Sequence, residues 1–264
     1  MNLDGYALPI KNLKGTEPVE SLDLSHKELR IASAIVIASL IGGNGSLTSL
    51  DLSNNQLCGV NEYGNETYNA DGITAIADAL RVNGSLTKMS LAWNTLGVEG
   101  TKAICDALEQ NKTLKELDLS GFNMGGAAGA KHVAKMLGVN GSLTSLDLSD
   151  NQLCGLNIWG QGTYTSEGIT AIADALRVNS ALTSLNLSSN NLCSVTETGY
   201  ITITASEVQG SSFKEGDKVV YQGKEMIVSN AKETNHIRIG PDIMTGLNAL
   251  ADAFRVNGGL TKIE

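Results

Sequence analysis

Apolar and polar positions recur along this chain in one fixed order, apolar-x-x-apolar-x-apolar. The stretches open at Val19, Leu47, Leu86, Leu114, Leu143 and Leu182, and a seventh opens at Leu260. Their second apolar position falls at Leu22, Leu50, Met89, Leu117, Leu146, Leu185 and Ile263, giving steps of 28, 39, 28, 29, 39 and 78 residues. Such a period marks a solenoid, whose units bury their apolar faces only against one another. Within residues 47–53 the leucines point to one side and Ser49, Asp51 and Ser53 to the other, as along a strand. Residues 72–83 then repeat apolar side chains at helical spacing, and Gly84 behind them predicts a left-handed helix cap. The helical pattern returns at 29–42, 98–111, 127–140, 168–179 and, altered, at 246–258.

A strand joined through a helix to the next strand returns parallel and right-handed, because an antiparallel return needs only a tight turn. Strands spaced ~4.8 Å and helices needing about 10 Å cannot stack flat, so the strands take the concave face and the helices the convex one. The predicted fold is an α/β right-handed horseshoe over residues 1–264. Residues 1–18, with Leu3, Tyr6, Leu8, Ile10 and Leu13, are expected as an irregular strand capping the first coil. At the other end Thr261-Lys262-Ile263-Glu264 is half a strand without a polar capping unit. That edge suggests a truncated chain or self-association, since an uncovered edge strand invites pairing.

Three units are enlarged between strand and helix. The inserts after Cys58 and Cys154 lie 96 residues apart and match closely, which points to duplication of a three-unit block. The third insert, residues 195–242 within the sixth unit, predicts a small antiparallel β insertion with strands near 200–204, 218–221, 225–228 and 236–239. All three inserts leave the same edge of the sheet. Tyr63, Tyr68, Trp93, Trp159 and Tyr164 therefore belong to one edge, and aromatic residues of this kind are enriched among binding anchors. The alternative is that each ring closes its own loop. A second candidate surface is the strand lane Asp23, Asp51, Ser90, Asp118, Asp147 and Asn186, read either as repeat scaffold or as a row open to a basic partner or a cation.

On the motif Leu-x-x-Leu-x-Leu-x-x-Asn-x-Leu followed by a helix, from about Val19 onward, the protein resembles leucine-rich repeats of the long, helix-containing class typified by ribonuclease inhibitor. The motif's asparagine falls on Asn55, Asn94, Asn151 and Asn190, where the resemblance implies that its amide caps backbone groups of the adjacent turn. Lys27 and Phe122 hold that slot in two units, which implies an altered turn there.

Composition narrows the functional classes. Aromatic residues are only 4 % of the sequence, so the interior is built from aliphatic side chains in thin layers. A formal charge of −9 counts against nonspecific nucleic-acid or anionic-membrane binding. There is no apolar run long enough to span a bilayer and no basic, apolar leader at Met1, so a cytoplasmic protein is expected. Four widely spaced cysteines predict packing thiols, with Cys154 and Cys193 near enough in neighbouring coils to touch. His26, His132 and His236 are scattered over different units and form no nucleophile or metal pattern. No cofactor, metal or enzymatic activity is expected. Asn44, Asn65, Asn83, Asn111, Asn140 and Asn186 match glycosylation acceptors, but most of them repeat the unit's own consensus. The expected function is a non-enzymatic protein-interaction scaffold that binds through Asp51, Asp118 and Asp147 on the concave face and the aromatic edge. The alternatives are ligand or cation binding beside the inserts, and end-to-end assembly.

Overall fold

A computed structural model describes residues 1–59, 67–121, 124–156, 161–192, 201–204, 218–221, 224–233, 236–240 and 244–264, with backbone alone between 201 and 244. The fold opens with a hairpin, β1 (Asn2–Leu3) and β2 (Tyr6–Ala7), and a short helix α1 (Ile10–Lys14). This differs from the expected irregular strand. Asp4-Gly5 takes positive φ at both positions, 54° and 81°, which is the turn a two-residue hairpin needs. Leu8 and Leu13 are buried against the first coil.

Strands and helices then alternate: β3 (Ser21–Asp23), α2 (Ile31–Ile41), β4 (Ser49–Asp51), α3 (Asp71–Val82), β5 (Lys88–Ser90), α4 (Gly97–Leu108), β6 (Glu116–Asp118), α5 (Gly126–Leu137), β7 (Ser145–Asp147), α6 (Glu167–Val178) and β8 (Ser184–Asn186). Four further strands, β9 (Ile201–Thr204), β10 (Lys218–Tyr221), β11 (Lys224–Glu233) and β12 (His236–Gly240), precede α7 (Met244–Val256) and β13 (Lys262–Ile263). The repeat strands form one parallel sheet in the order β13-β8-β7-β6-β5-β4-β3. Its register pairs Leu22 with Leu50, Leu50 with Met89, Met89 with Leu117, Leu117 with Leu146, Leu146 with Leu185 and Leu185 with Ile263. Steps of 28, 39 and 78 residues thus produce the same one-strand advance.

The longer steps are absorbed because each insert closes on itself. At the neck of the first insert the Asn69 N–H donates to the Cys58 carbonyl at 3.0 Å, and at the second Thr165 donates to Cys154 at 2.9 Å. In the third, β9 pairs antiparallel with β12, so the first and last strands of the four-stranded sheet β10-β11-β12-β9 are neighbours. β11 is longer than the sequence predicts, reaching Glu233 with register shifts around Asn230.

Successive helices pack against one another behind the sheet. Ile37, Ile76, Ile104, Val133, Ile172 and Leu250 share one helix position and are all buried in the single hydrophobic core. Full burial of one such aliphatic residue contributes about 1.5–3 kcal/mol, and only where the next coil covers it. On the helices' outer side Arg81–Asp78, Arg177–Asp174 and Arg255–Asp252 pair at 3.4–3.6 Å. These exposed pairs add a few tenths of a kcal/mol each, about 0.3–0.5.

Two buried asparagine ladders stitch the coils together. The first is the one the motif implies. Asn55 Nδ2 donates to the Leu24, Leu52 and Ser53 carbonyls, while its Oδ1 accepts from the Lys27 and Leu29 N–H groups. Asn94 reaches back to Leu52, Asn151 to Leu119 and Asn190 to Leu148, at 2.8–2.9 Å. Each rung therefore serves the preceding coil. Lys27 is tolerated in this slot because its coil is the first and has no preceding repeat strand to serve; Phe122 lies outside the described residues.

The second ladder runs along the helix ends through Asn44, Asn83, Asn111, Asn140, Asn179 and Asn257. Asn83 Nδ2 donates to the Ile41 and Asn44 carbonyls at 2.7 and 3.4 Å, and its Oδ1 accepts from Ser85 and Leu86 N–H at 2.9 and 2.7 Å. Asn111 does the same to Leu80 and Asn83, Asn140 to Leu108 and Asn111, Asn179 to Leu137 and Asn140, and Asn257 to Leu176 and Asn179. This arrangement corrects the expected glycine cap. α3 ends on Asn83 in extended conformation, φ −70° and ψ 123°, and Gly84 is not left-handed. The asparagine amide satisfies the turn's N–H groups and the previous helix's last carbonyls, so no left-handed residue is needed.

Candidate functional site

The exposed side of the parallel sheet is built from the residues between the leucines, held in lanes by the constant register. In the lane Asp23, Asp51, Ser90, Asp118, Asp147 and Asn186, the side-chain oxygen accepts the backbone N–H two residues on from Asp23, Asp51, Asp118, Asp147 and Asn186, at 2.8–3.0 Å. This is an Asx turn, and it bends the backbone away from the sheet after each short strand. Cross-coil bonds tie the lane together. Ser90 Oγ donates to Asp118 Oδ2 at 3.1 Å, and Asn186 Nδ2 to Asp147 Oδ2 at 2.9 Å. The Ser25 hydroxyl and N–H, both on Asp23, hold that carboxyl below the usual carboxylate range. Asp51, Asp118 and Asp147 are each half-buried on this face.

Three residues further along, every coil turns left-handed at one position: His26, Asn54, Trp93, Gly121, Asp150 and Ser189, with φ of 54–56° at the non-glycine members. The one glycine lies beneath the one tryptophan. A Cβ on Gly121 would stand 2.4–2.6 Å from three Trp93 ring atoms, so the ring lies flat across this backbone. Trp93 is nevertheless 46 % exposed and presents its other side to solvent. Gly121→Ala is expected to lift the indole and to cost about 1–2 kcal/mol, since alanine is also disfavoured at positive φ. In a Trp159→Phe background, a red shift of the remaining tryptophan emission checks it; an unmoved spectrum means the ring does not rest there.

The other aromatic candidates are placed differently. Tyr68 is half-buried; its hydroxyl donates to the Leu96 carbonyl at 2.5 Å and accepts from Gly100 N–H at 3.2 Å. Burial pushes its phenol above the ordinary range. Tyr164, only 8 % exposed, sits in the hydrophobic core with its hydroxyl on the Leu192 carbonyl at 3.3 Å. Both tyrosines bridge to the coil that follows, 28 residues on, instead of only closing their own loops. Tyr63 and Trp159 lie outside the described residues. The structure thus joins Trp93 to the aspartate face and turns Tyr68 and Tyr164 inward.

Other candidate chemistry is dispersed. His26 lies in the first coil's turn and His132 on α5. Among the described residues no three His, Cys, Asp or Glu side chains gather as a metal site. Cys58, Cys105 and Cys154 are buried, and burial pushes the Cys58 thiol up to about 12 and that of Cys105 well up too. Cys193 lies outside the described residues. Of the glycosylation-type asparagines, Asn44, Asn83, Asn111 and Asn140 are buried ladder rungs whose amide nitrogens are engaged. Asn186 donates to Asp147, and Asn65 is outside the described residues. No described helix is long and apolar enough to cross a membrane.

A parallel strand layer backed by helices, advancing one strand per repeat and laced by asparagine rungs, defines an α/β solenoid. Two family models agree: "Leucine Rich Repeat" matches residues 46–64 and 142–160, and "Leucine Rich repeat" matches 82–105. The chain is a leucine-rich repeat protein. Among solved structures it is similar to leiomodin-1 actin-binding site 2, at 20 % identity over 65 % of this chain and 87 % of that one, TM-score 0.49. A tropomodulin C-terminal domain from Caenorhabditis elegans aligns at 15 % identity over 60 % and 82 %, TM-score 0.42. The leucine-rich repeat-containing protein LegL7 from Legionella pneumophila aligns at 21 % identity over 73 % of each protein, TM-score 0.29. No curated protein matches the sequence.

Proposed function

We propose that this protein is a non-enzymatic protein-interaction scaffold whose concave strand face, with Trp93 on its rim, docks a basic segment of a partner protein. The observation that carries this reading is the joining of an exposed indole to a lane of half-buried carboxylates in fixed register. Asp118 and Asp147 are direct sheet neighbours, and Ser90 of the strand beside Asp118 belongs to the coil that carries Trp93. A cationic group stacked on the indole gains a cation–π attraction, and neighbouring carboxylates add to it. The net charge of −9 steers such a partner in. The buried thiols of Cys58 and Cys105 suit a reducing, cytoplasmic setting for the scaffold.

Neutralisation tests this without breaking the turns, because Asn186 makes the same turn bond with an amide oxygen at 3.0 Å. Asp51→Asn, Asp118→Asn and Asp147→Asn combined with Trp93→Ala are expected to weaken binding of basic peptides about tenfold or more and to flatten its salt dependence. The melting curve of the aspartate triple variant should stay close to that of the wild type. Unchanged peptide affinity with an intact fold would reject this face.

A further inference from the structure

Four of the six helix-end rungs are followed by glycine: Asn44-Gly45, Asn83-Gly84, Asn140-Gly141 and Asn257-Gly258. The fold does not require these glycines. None of the four has positive φ, and a Cβ built on any of them meets no atom within 4 Å. The same position holds Lys112 after Asn111 and Ser180 after Asn179. What glycine changes here is reactivity: with nothing on its Cα to obstruct the approach, its peptide nitrogen reaches the preceding asparagine's carboxamide carbon more readily than that of other residues.

We propose that the four Asn-Gly steps are latent deamidation sites, closed by the ladder and opened only when a coil unfolds. In the reaction the glycine nitrogen attacks asparagine Cγ and a C–N bond forms. The bond between Cγ and Nδ2 breaks, and ammonia leaves with the displaced peptide proton. Water then opens the resulting succinimide to aspartate or isoaspartate, so one water is consumed, one ammonia released and nothing oxidised. In the folded protein Asn83 is 3 % exposed, and its amide is held by two carbonyls of the preceding coil and by the N–H groups of Ser85 and Leu86. Asn44 and Asn140 are held in the same way. To react, the amide must release all of these bonds and swing back to its own neighbour's nitrogen.

The product cannot resume the role. A carboxylate has no N–H for the Ile41 and Asn44 carbonyls and sets a buried negative charge against them, and isoaspartate also lengthens the backbone by one methylene. A coil that stays open long enough for conversion therefore carries a permanent mark that prevents the repeat from closing again. Asn257, only partly buried, sits in the coil expected to open first, so it should be the earliest of the four to convert.

The test compares the protein held in mildly alkaline buffer, folded in one arm and kept in concentrated urea in the other, with peptide mass spectrometry for amide-to-acid conversion. Asn44, Asn83 and Asn140 are expected to convert roughly 100-fold more slowly when folded, as local opening limits them. The Asn111 and Asn179 peptides should lag in the urea arm. On dilution from urea, aged wild-type protein should lose its native circular dichroism in proportion to conversion. A variant carrying Gly45→Ala, Gly84→Ala, Gly141→Ala and Gly258→Ala should fold like the wild type and refold after the same ageing. Asn83→Asp supplies the product directly and is expected to melt lower. Equal conversion in both arms would overturn the gating, and full refolding of converted protein or a native-like melt of Asn83→Asp would overturn the consequence.

Discussion

Asn111→Ala is expected to lower the free energy of unfolding by about 3–4 kcal/mol, a large share of a solenoid's stability. The size follows from the groups left behind. Asn111 Nδ2 serves the Leu80 carbonyl at 2.7 Å and that of Asn83 at 3.3 Å, and its Oδ1 accepts from the Thr113 and Leu114 N–H groups, both at 2.9 Å. The residue is 3 % exposed, so water cannot replace the amide without opening the turn. Two buried carbonyls, the buried Leu114 N–H and the half-buried Thr113 N–H lose a partner together, at about 1–3 kcal/mol for each group left wholly unsatisfied. Partial relaxation keeps the sum below the arithmetic total. The partly buried outer rung Asn257 should cost clearly less on the same substitution. Urea titrations of both variants check the pair; equal losses at the two rungs would mean that burial does not set the cost.

The parallel register was legible because apolar side chains at fixed steps have only one way to share a core. The motif's asparagines were legible for the same reason. The second ladder carries steps of 39, 28, 29, 39 and 78 residues, yet its meaning was hidden: the acceptors lie on the preceding coil, and Asn-Gly-Ser reads equally well as a glycosylation acceptor or a glycine cap. A cap that works between coils cannot be told from a cap within one coil by local pattern. The aromatic residues show the same limit. Tyr68 and Tyr164 turn inward because the carbonyls of Leu96 and Leu192 wait 28 residues away, and nothing near either tyrosine announces that partner. Trp93 stays outside because its coil turns left-handed there, and Gly121 on the next coil leaves room beneath it. The lane of aspartates could be placed from sequence, but its Asx turns could not be separated from an open row of charges until the serine N–H groups were located.

Gly129→Ala is expected to cost about 2–4 kcal/mol, against the usual sign of a glycine-to-alanine change within a helix, which favours alanine by about 1 kcal/mol. Gly129 sits in the first turn of α5, where a Cβ would stand 1.9 Å from the Met124 carbonyl oxygen and 3.0 Å from the Met124 Cβ. The obstructing atoms belong largely to backbone, and that backbone is fixed because Met124 N–H donates to Asn151 Oδ1 at 3.1 Å in the first ladder. Relief would require breaking this rung or sliding the helix from its neighbours. Gly100, at the equivalent place in α4, meets the movable Ile73 Cγ2 at 2.8 Å and should cost only about 1 kcal/mol on the same change. In the first coil the position is Ser33, whose hydroxyl donates to Asp4 Oδ2 at 2.5 Å, so a larger residue is accepted where the hairpin rather than a repeat coil lies alongside. The order Gly129 well above Gly100 in chemical denaturation is the decisive reading. A neutral or stabilising Gly129→Ala would mean that helix and preceding turn are not in the close contact on which the spacing of the coils depends.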